Sequence, residues 1–258
     1  MKRATPDVKD RLLFVLLVAL VASVACQRLP LPVGRKSIPT PTATRVPSPA
    51  WEDGNTYRVA MVAAAADDVA LIEAPTFYYI RARVDLKEEM PRVHASQTTH
   101  YTNKTTVPLE AIYFRLFPNK PSYGSALTFG SVTVLGDEAN LDYQAERTAV
   151  GVWLPRPLQP GQSVDVQMEY DVTVPVKNAR GYGTFNYQDG ILLLSNFFAM
   201  AAVREPGGWN LSLAPDYGDP VYAETSFYTV EFTAPQGLTV VTSGSTIGKH
   251  DNEDGTTT

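Results

Sequence analysis

From Thr76 onward the chain runs in short stretches whose apolar and polar side chains alternate, each stretch closed by turn residues. A spacing of two allows only β-structure with one face buried. Thr76 to Leu86 sets Tyr78, Ile80, Ala82, Val84 and Leu86 against Tyr79, Arg81, Arg83 and Asp85. Lys87 to Pro91 reads as a turn, and Arg92 to Asn103 as the returning strand. Leu109 to Phe117 reads as a buried strand closed by Pro118-Asn119. Thr128 to Leu135, Ala149 to Leu154 and Ser163 to Val174 follow, with Gln159-Pro-Gly-Gln162 turning between the last two. Ile191 to Leu194, Ser226 to Thr233 and Leu238 to Ser243 complete the series. It predicts a mainly β fold, a large twisted antiparallel sandwich, with no internal repeat.

Ahead of the strands, residues 56–72 predict one helix. Alanine favours it, Asp53 or Asn55 can cap its start, and Ala74-Pro75 ends it. Val59, Val62, Ala63, Ala66, Val69 and Ala70 give it an apolar stripe for packing on one side of the domain.

The amino terminus reads as an export signal. Lys2, Arg3, Lys9 and Arg11 precede an apolar run from Leu12 to Ala25, interrupted only by Ser23. As a helix that run reaches about 21 Å, short of a ~30 Å hydrocarbon core, which fits a signal rather than a span. It ends in Ser23-Val24-Ala25-Cys26, and Cys26 is the sole cysteine. This resembles a bacterial lipobox, with Cys26 the lipidated residue, although Ser23 stands where leucine is usual. An ordinary cleaved signal that happens to contain a cysteine is the alternative. The lipobox implies an exported protein held on the extracytoplasmic face of a bacterial membrane. With Cys26 so used, no disulfide forms within the chain.

Residues 27–50 hold six prolines and four basic residues, with no acidic and no aromatic residue. Such a segment cannot bury enough apolar surface to offset its ordering entropy. It predicts an extended tether of roughly 70 Å. The first 26 residues carry +2 and the tether +4, so with −5 for the chain residues 51–258 carry −11. That charge argues against a nucleic-acid partner, which needs a basic face.

Four segments, in order, resemble the amino-terminal domain of the zinc aminopeptidases related to membrane alanyl aminopeptidase and leukotriene A4 hydrolase. They are Ile112-Tyr-Phe-Arg-Leu-Phe-Pro-Asn119; Leu154-Pro-Arg-Pro-Leu-Gln-Pro-Gly-Gln-Ser-Val164; Leu194-Ser-Asn-Phe-Phe-Ala199; and a block of Gly218-Asp219-Pro220, Tyr228 to Pro235 and Val240 to Gly244. The resemblance covers about 170 residues. It implies a saddle-like β-domain over residues 76–258, behind a helical lead-in at 51–75 and covering the active site of a following catalytic domain. That next domain would bring a zinc ion held by H-E-x-x-H and a downstream glutamate, and a peptide substrate. No H-E-x-x-H occurs in these 258 residues. The expectation is therefore a truncated β-domain, not catalytic by itself and without a cofactor of its own. His94 and His100 lie ~20 Å apart along one strand, too far to share a metal, and His250 falls in a polar tail.

The resemblance also implies a contact with the substrate's free amino group near Ser195 to Ala199. Asn196 falls on its first polar position. Phe198 falls where an acid or amide is usual, and its ring offers a cation only π-attraction. The plain structural alternative makes Phe197 and Phe198 core or groove-lining rings; the truncated reading instead expects both to be partly exposed, because their covering domain is missing. Two rival functions remain: a complete lipoprotein β-module for binding or structure, and a carbohydrate-binding sandwich using Trp153, Trp209 and Tyr217. Asn103-Lys-Thr105 and Asn210-Leu-Ser212 match glycosylation sequons by chance in a bacterial protein. Asp251 to Asp254 predict a hairpin turn tipped by Asp254-Gly255.

Overall fold

The computed structural model describes residues 51–86, 89–178, 180–219 and 221–258. The signal, Cys26 and the tether lie outside them. Residues 76–258 form strands β1 (Thr76–Asp85), β2 (Arg92–Thr102), β3 (Leu109–Arg115), β4 (Ala126–Val134), β5 (Asp137–Glu138), β6 (Leu141–Gln144), β7 (Ala149–Leu158), β8 (Ser163–Thr173), β9 (Phe185–Gln188), β10 (Ile191–Leu194), β11 (Met200–Ala201), β12 (Arg204–Glu205), β13 (Gly208–Trp209), β14 (Ser226–Pro235) and β15 (Thr256–Thr257). The large sheet runs β15-β14-β1-β2-β8-β4-β5 and the smaller β11-β3-β7-β6, with β9–β10 and β12–β13 as separate hairpins. Strand pairing is antiparallel except between β1 and β14, which run parallel from Thr76 opposite Ser226 to Arg83 opposite Thr233.

Alternation does what it predicts. Tyr78, Ile80, Ala82 and Val84 of β1, Val93 of β2, and Val166, Met168, Tyr170 and Val172 of β8 turn inward. They meet Ile112 and Phe114 of β3 and Val150 and Val152 of β7 in one continuous core. The mainly β sandwich is thus as the sequence predicts. The β7–β8 turn falls at Gln159–Gln162, closed by Gln162 N–H donating to Gln159 C=O at 3.0 Å. Pro155 and Pro157 sit in β7 beyond the reach of β6, which pairs only with Ala149 to Val152, so they break no ladder on that side.

Two sequence expectations are corrected. Residues 54–71 form two 3-10 segments, Gly54–Ala60 and Ala63–Leu71, in place of one helix. Asp53 does cap the first, accepting from Asn55 N–H at 2.9 Å. Met61 and Val62 break the ladder in extended conformation. A three-residue period replaces 3.6, so of the expected stripe Val69 alone is buried, and Tyr57 and Ile72 join it in facing the sheet. They join Trp51 over Phe77 and Phe227 on the outer face of β1 and β14, while Val59 and Val62 stay exposed.

The second correction concerns Leu238 to Ser243, which forms no strand. The chain turns away at Gly237 (φ +88°), and β15 takes the end of β14 at Ala234 and Pro235. The exposed stretch that follows touches the lead-in at Ser245, whose Oγ–H donates to Ala60 C=O at 3.1 Å. Leu238, Val240 and Ile247 are exposed, and Val241 is 87% exposed. The polar tail is ordered as predicted: Gly255 takes φ +77°, and Asp254 accepts from Thr256 N–H and from Arg83 Nη2. Asn103 is fully buried, donating to Val107 and Leu158 carbonyls, so its sequon offers no acceptor for sugar.

Candidate functional site

Segment 195–201 leaves the β9–β10 hairpin and enters the core between the two sheets. Ser195 N–H donates to Thr184 C=O at 3.1 Å. Asn196 then takes φ +54°, a left-handed conformation that asparagine adopts more readily than most residues. Phe197 is buried, at 9% exposure, and so is not the partly exposed ring expected of it; its own strands cover it. Phe198 is half-buried. It meets Tyr78 edge-on at 5.8 Å and Tyr228 edge-on at 5.5 Å, beside a Tyr78–Tyr228 stack at 4.7 Å.

A buried polar network fixes the rest of the segment. Gln97, 2% exposed on β2, donates through Nε2 to Ala199 C=O at 2.7 Å and to Thr99 Oγ1 at 2.8 Å. Its Oε1 accepts from the Tyr170 hydroxyl at 2.9 Å. The Tyr78 hydroxyl accepts from Ala201 N–H at 2.9 Å, and β11 pairs with β3. Burial pushes the Tyr78 hydroxyl well up, with Tyr228 adding to it, so Tyr78 stays a neutral phenol with a proton of its own to donate. A small open pocket lies beside these groups, lined by Tyr78, Tyr101, Met200, Ala201 and Glu224. Glu224 is ion-paired with Lys104. A neutral phenol and an ion-paired carboxylate thus line a cleft about the size of one water, next to an anchored backbone.

Asn196 lies in the turn at Ser195-Asn196, and Phe198 follows it with its ring in the Tyr78–Tyr228 aromatic group, so the two do not form one polar surface. Tyr78, Gln97 and Glu224 were missed by sequence reasoning, since a glutamine in an alternating Ser-Gln-Thr-Thr run gives no sign that it faces the core.

Two of the three histidines are hydrogen-bonded to carboxylates. His94 hydrogen-bonds Asp171 at 2.6 Å and His100 hydrogen-bonds Asp165 at 2.8 Å, both across the β2–β8 pair. Glu52 of the lead-in stands 4.0 Å from His100 Nδ1, and one ligand atom each from Glu52, His100 and Asp165 lies within 4.8 Å of the others. One histidine with two carboxylates is not the two-histidine, one-glutamate set of the implied zinc, and that zinc does not fit the described residues. The aromatic residues of the carbohydrate reading do not gather either. Trp209 packs against Tyr101 and Tyr113, Tyr217 meets Tyr182 edge-on, and Trp153 makes no ring contact among the described residues.

No protein-family model matches the chain, and no curated protein does. Solved structures do. The M1 zinc metallopeptidase from Deinococcus radiodurans is 17% identical, with a TM-score of 0.40 over 70% of this chain and 36% of that one. A two-domain M1 zinc metallopeptidase mutant bound to L-tryptophan gives 17% and 0.41, over 70% and 37%. A mutant from Deinococcus radiodurans bound to a Tyr-Ser-Ala substrate gives 17% and 0.41, over 70% and 36%. The likenesses are loose, and this chain spans little more than a third of the length of those proteins.

Proposed function

We propose that residues 76–258 are the noncatalytic β-domain of a zinc aminopeptidase of the kind the sequence motifs resemble, exported and lipid-anchored through Cys26. In this role the domain places segment 195–201 against the amino-terminal end of a peptide held by a catalytic domain. The observation that carries it is the fixing of that segment by Gln97 and Tyr78 at Ala199 and Ala201. A contact surface for a substrate must be held to a fraction of an ångström, and buried hydrogen bonds from two strands do that. The ordered motifs support the same reading, because they fall on successive structural units: β3 with its Pro118-Asn119 turn, the β7–β8 hairpin, and β14. Exposed Val240, Val241 and Ile247, and a β14 edge paired by β15 only at its end, leave surface for a partner domain.

The test follows the reading frame past codon 258 and assays the products. The 258-residue chain should release no amino acid from aminoacyl chromogenic substrates. A longer product carrying H-E-x-x-H should do so in a chelator-sensitive way, and Phe198→Ala in it should alter KM more than kcat. A reading frame with no peptidase domain would overturn the proposal. A stand-alone lipoprotein β-module would then take its place, a reading favoured by the burial of Phe197 under the chain's own strands. The anchor is tested separately. Label from a fatty acid should enter the wild-type protein and not Cys26→Ala, which should also leave the membrane fraction. Label persisting in Cys26→Ala would rule the anchor out.

A further inference from the structure

Arg115 ends β3 on the face turned away from the core, and it is 6% exposed. Its guanidinium carries five N–H donors. Among the described residues it makes one hydrogen bond, a long one from Nη1 to Asn210 C=O at 3.5 Å. Its Nε is buried with no partner. The Phe117 ring lies 5.5 Å from the guanidinium carbon. No described carboxylate forms an ion pair with it. Asp216 is 2.9 Å from Lys120 Nζ, and Lys120 also donates to Pro215 C=O. The charge of Lys120 is therefore matched and that of Arg115 is not.

A buried cation in this state is costly. Taking an ion out of water without a partner opposes folding. Arginine cannot escape the cost by losing its proton, although burial does lower its pKa. Arg115 also lines a small open pocket together with Phe117, Lys120, Thr148, Leu213 and Ala214. The space there that a water-sized molecule can occupy is about 10 Å³ and opens to solvent, so a single small polar head can enter from the mouth and a nucleotide cannot.

We propose that this pocket is an anion subsite in which Arg115 binds a carboxylate. A planar carboxylate matches the guanidinium fork with two parallel charge-assisted hydrogen bonds and supplies the missing countercharge. Lys120, paired with Asp216, stands at the wall, and Leu213, Ala214 and the Phe117 ring line the rest of it. The inference stands on the buried charge and does not rest on the peptidase reading.

The test uses the full chain in thermal unfolding and titration calorimetry at constant ionic strength, with chloride replaced stepwise by acetate. A second arm compares triglycine with triglycine amide, which separates a free small acid from a carboxylate borne by a peptide end. The melting temperature should rise saturably with acetate. Arg115→Met should abolish that rise and be no less stable than wild type in chloride, since it removes a charge that has no partner. Arg115→Lys keeps the charge but loses the fork, and should weaken acetate roughly tenfold. An acetate response equal in wild type and Arg115→Met overturns the proposal. So does the absence of any response, with water alone filling the pocket. If Arg115→Met fails to fold, an unchanged acetate affinity in Arg115→Lys does the same.

Discussion

Replacing Gln97 by methionine keeps most of the side-chain volume and removes every polar atom. The Tyr170 hydroxyl then loses the acceptor it reaches at 2.9 Å, and the Ala199 carbonyl loses the donor at 2.7 Å. Each buried polar group left unpaired costs ~1–3 kcal/mol, so Gln97→Met should cost roughly 2–6 kcal/mol. For a domain of this size that is a fall of about 4–24 °C in melting temperature. Urea unfolding followed by tryptophan fluorescence measures it. The network gives a sharper signature than the single value. In wild type, Tyr170→Phe removes one satisfied bond and should cost about 1 kcal/mol. In the Gln97→Met background the same change removes an orphaned hydroxyl, and should be neutral or stabilising. The two substitutions would thus be non-additive by about 1–2 kcal/mol. Strict additivity, or a Gln97→Met protein within about 0.5 kcal/mol of wild type, would refute the idea that this network holds segment 195–201.

Two further outcomes are expected. A Cβ added at Gly151 would lie 2.8 Å from the Tyr113 ring that covers it on the facing strand, so Gly151→Ala should destabilise by roughly 1–2 kcal/mol and the loss should shrink in Tyr113→Ala. Asp216 accepts from Ser122 Oγ–H and pairs with Lys120, which hold its carboxyl below the usual range. Its folded pKa is depressed, so its contribution is present above the unfolded value near ~4 and lost as pH falls through the folded value; thermal unfolding between about pH 5 and pH 2 should show Asp216→Asn to be the less acid-sensitive protein.

The strands were legible because alternation is a local signal and one face of each sheet is buried: the residue pattern of β1 and β8 alone says which side chains meet the core. Leu238 to Val241 misled because β-prone composition does not supply a neighbouring ladder, and Gly237 turns the chain out of the sheet. The lead-in misled because alanine favours any compact helix, while contact with Phe77 and Phe227 selects the three-residue period. The site was half legible. Asn196 and Phe198 stand out by resemblance, but their support from Gln97 and Tyr78 crosses 102 and 123 residues of sequence. Arg115 carried a signal that can be read in advance, a lone cation inside the apolar run Ile-Tyr-Phe-Arg-Leu-Phe.

The parallel pairing of β1 with β14 has a consequence for how the molecule is made. Thr76 waits for Ser226, a partner 150 residues later. At 5–20 residues per second, synthesis of that interval takes roughly 8–30 s. Through that time β1 can pair with β2 on one side only, and its other edge stays open to any strand that meets it. Contacts this distant slow folding as well, because chain closure precedes the reward. Arg81, Arg83 and Asp85, alternating along the outer face of β1, place charge along the strand that waits longest and discourage a wrong pairing until β14 arrives.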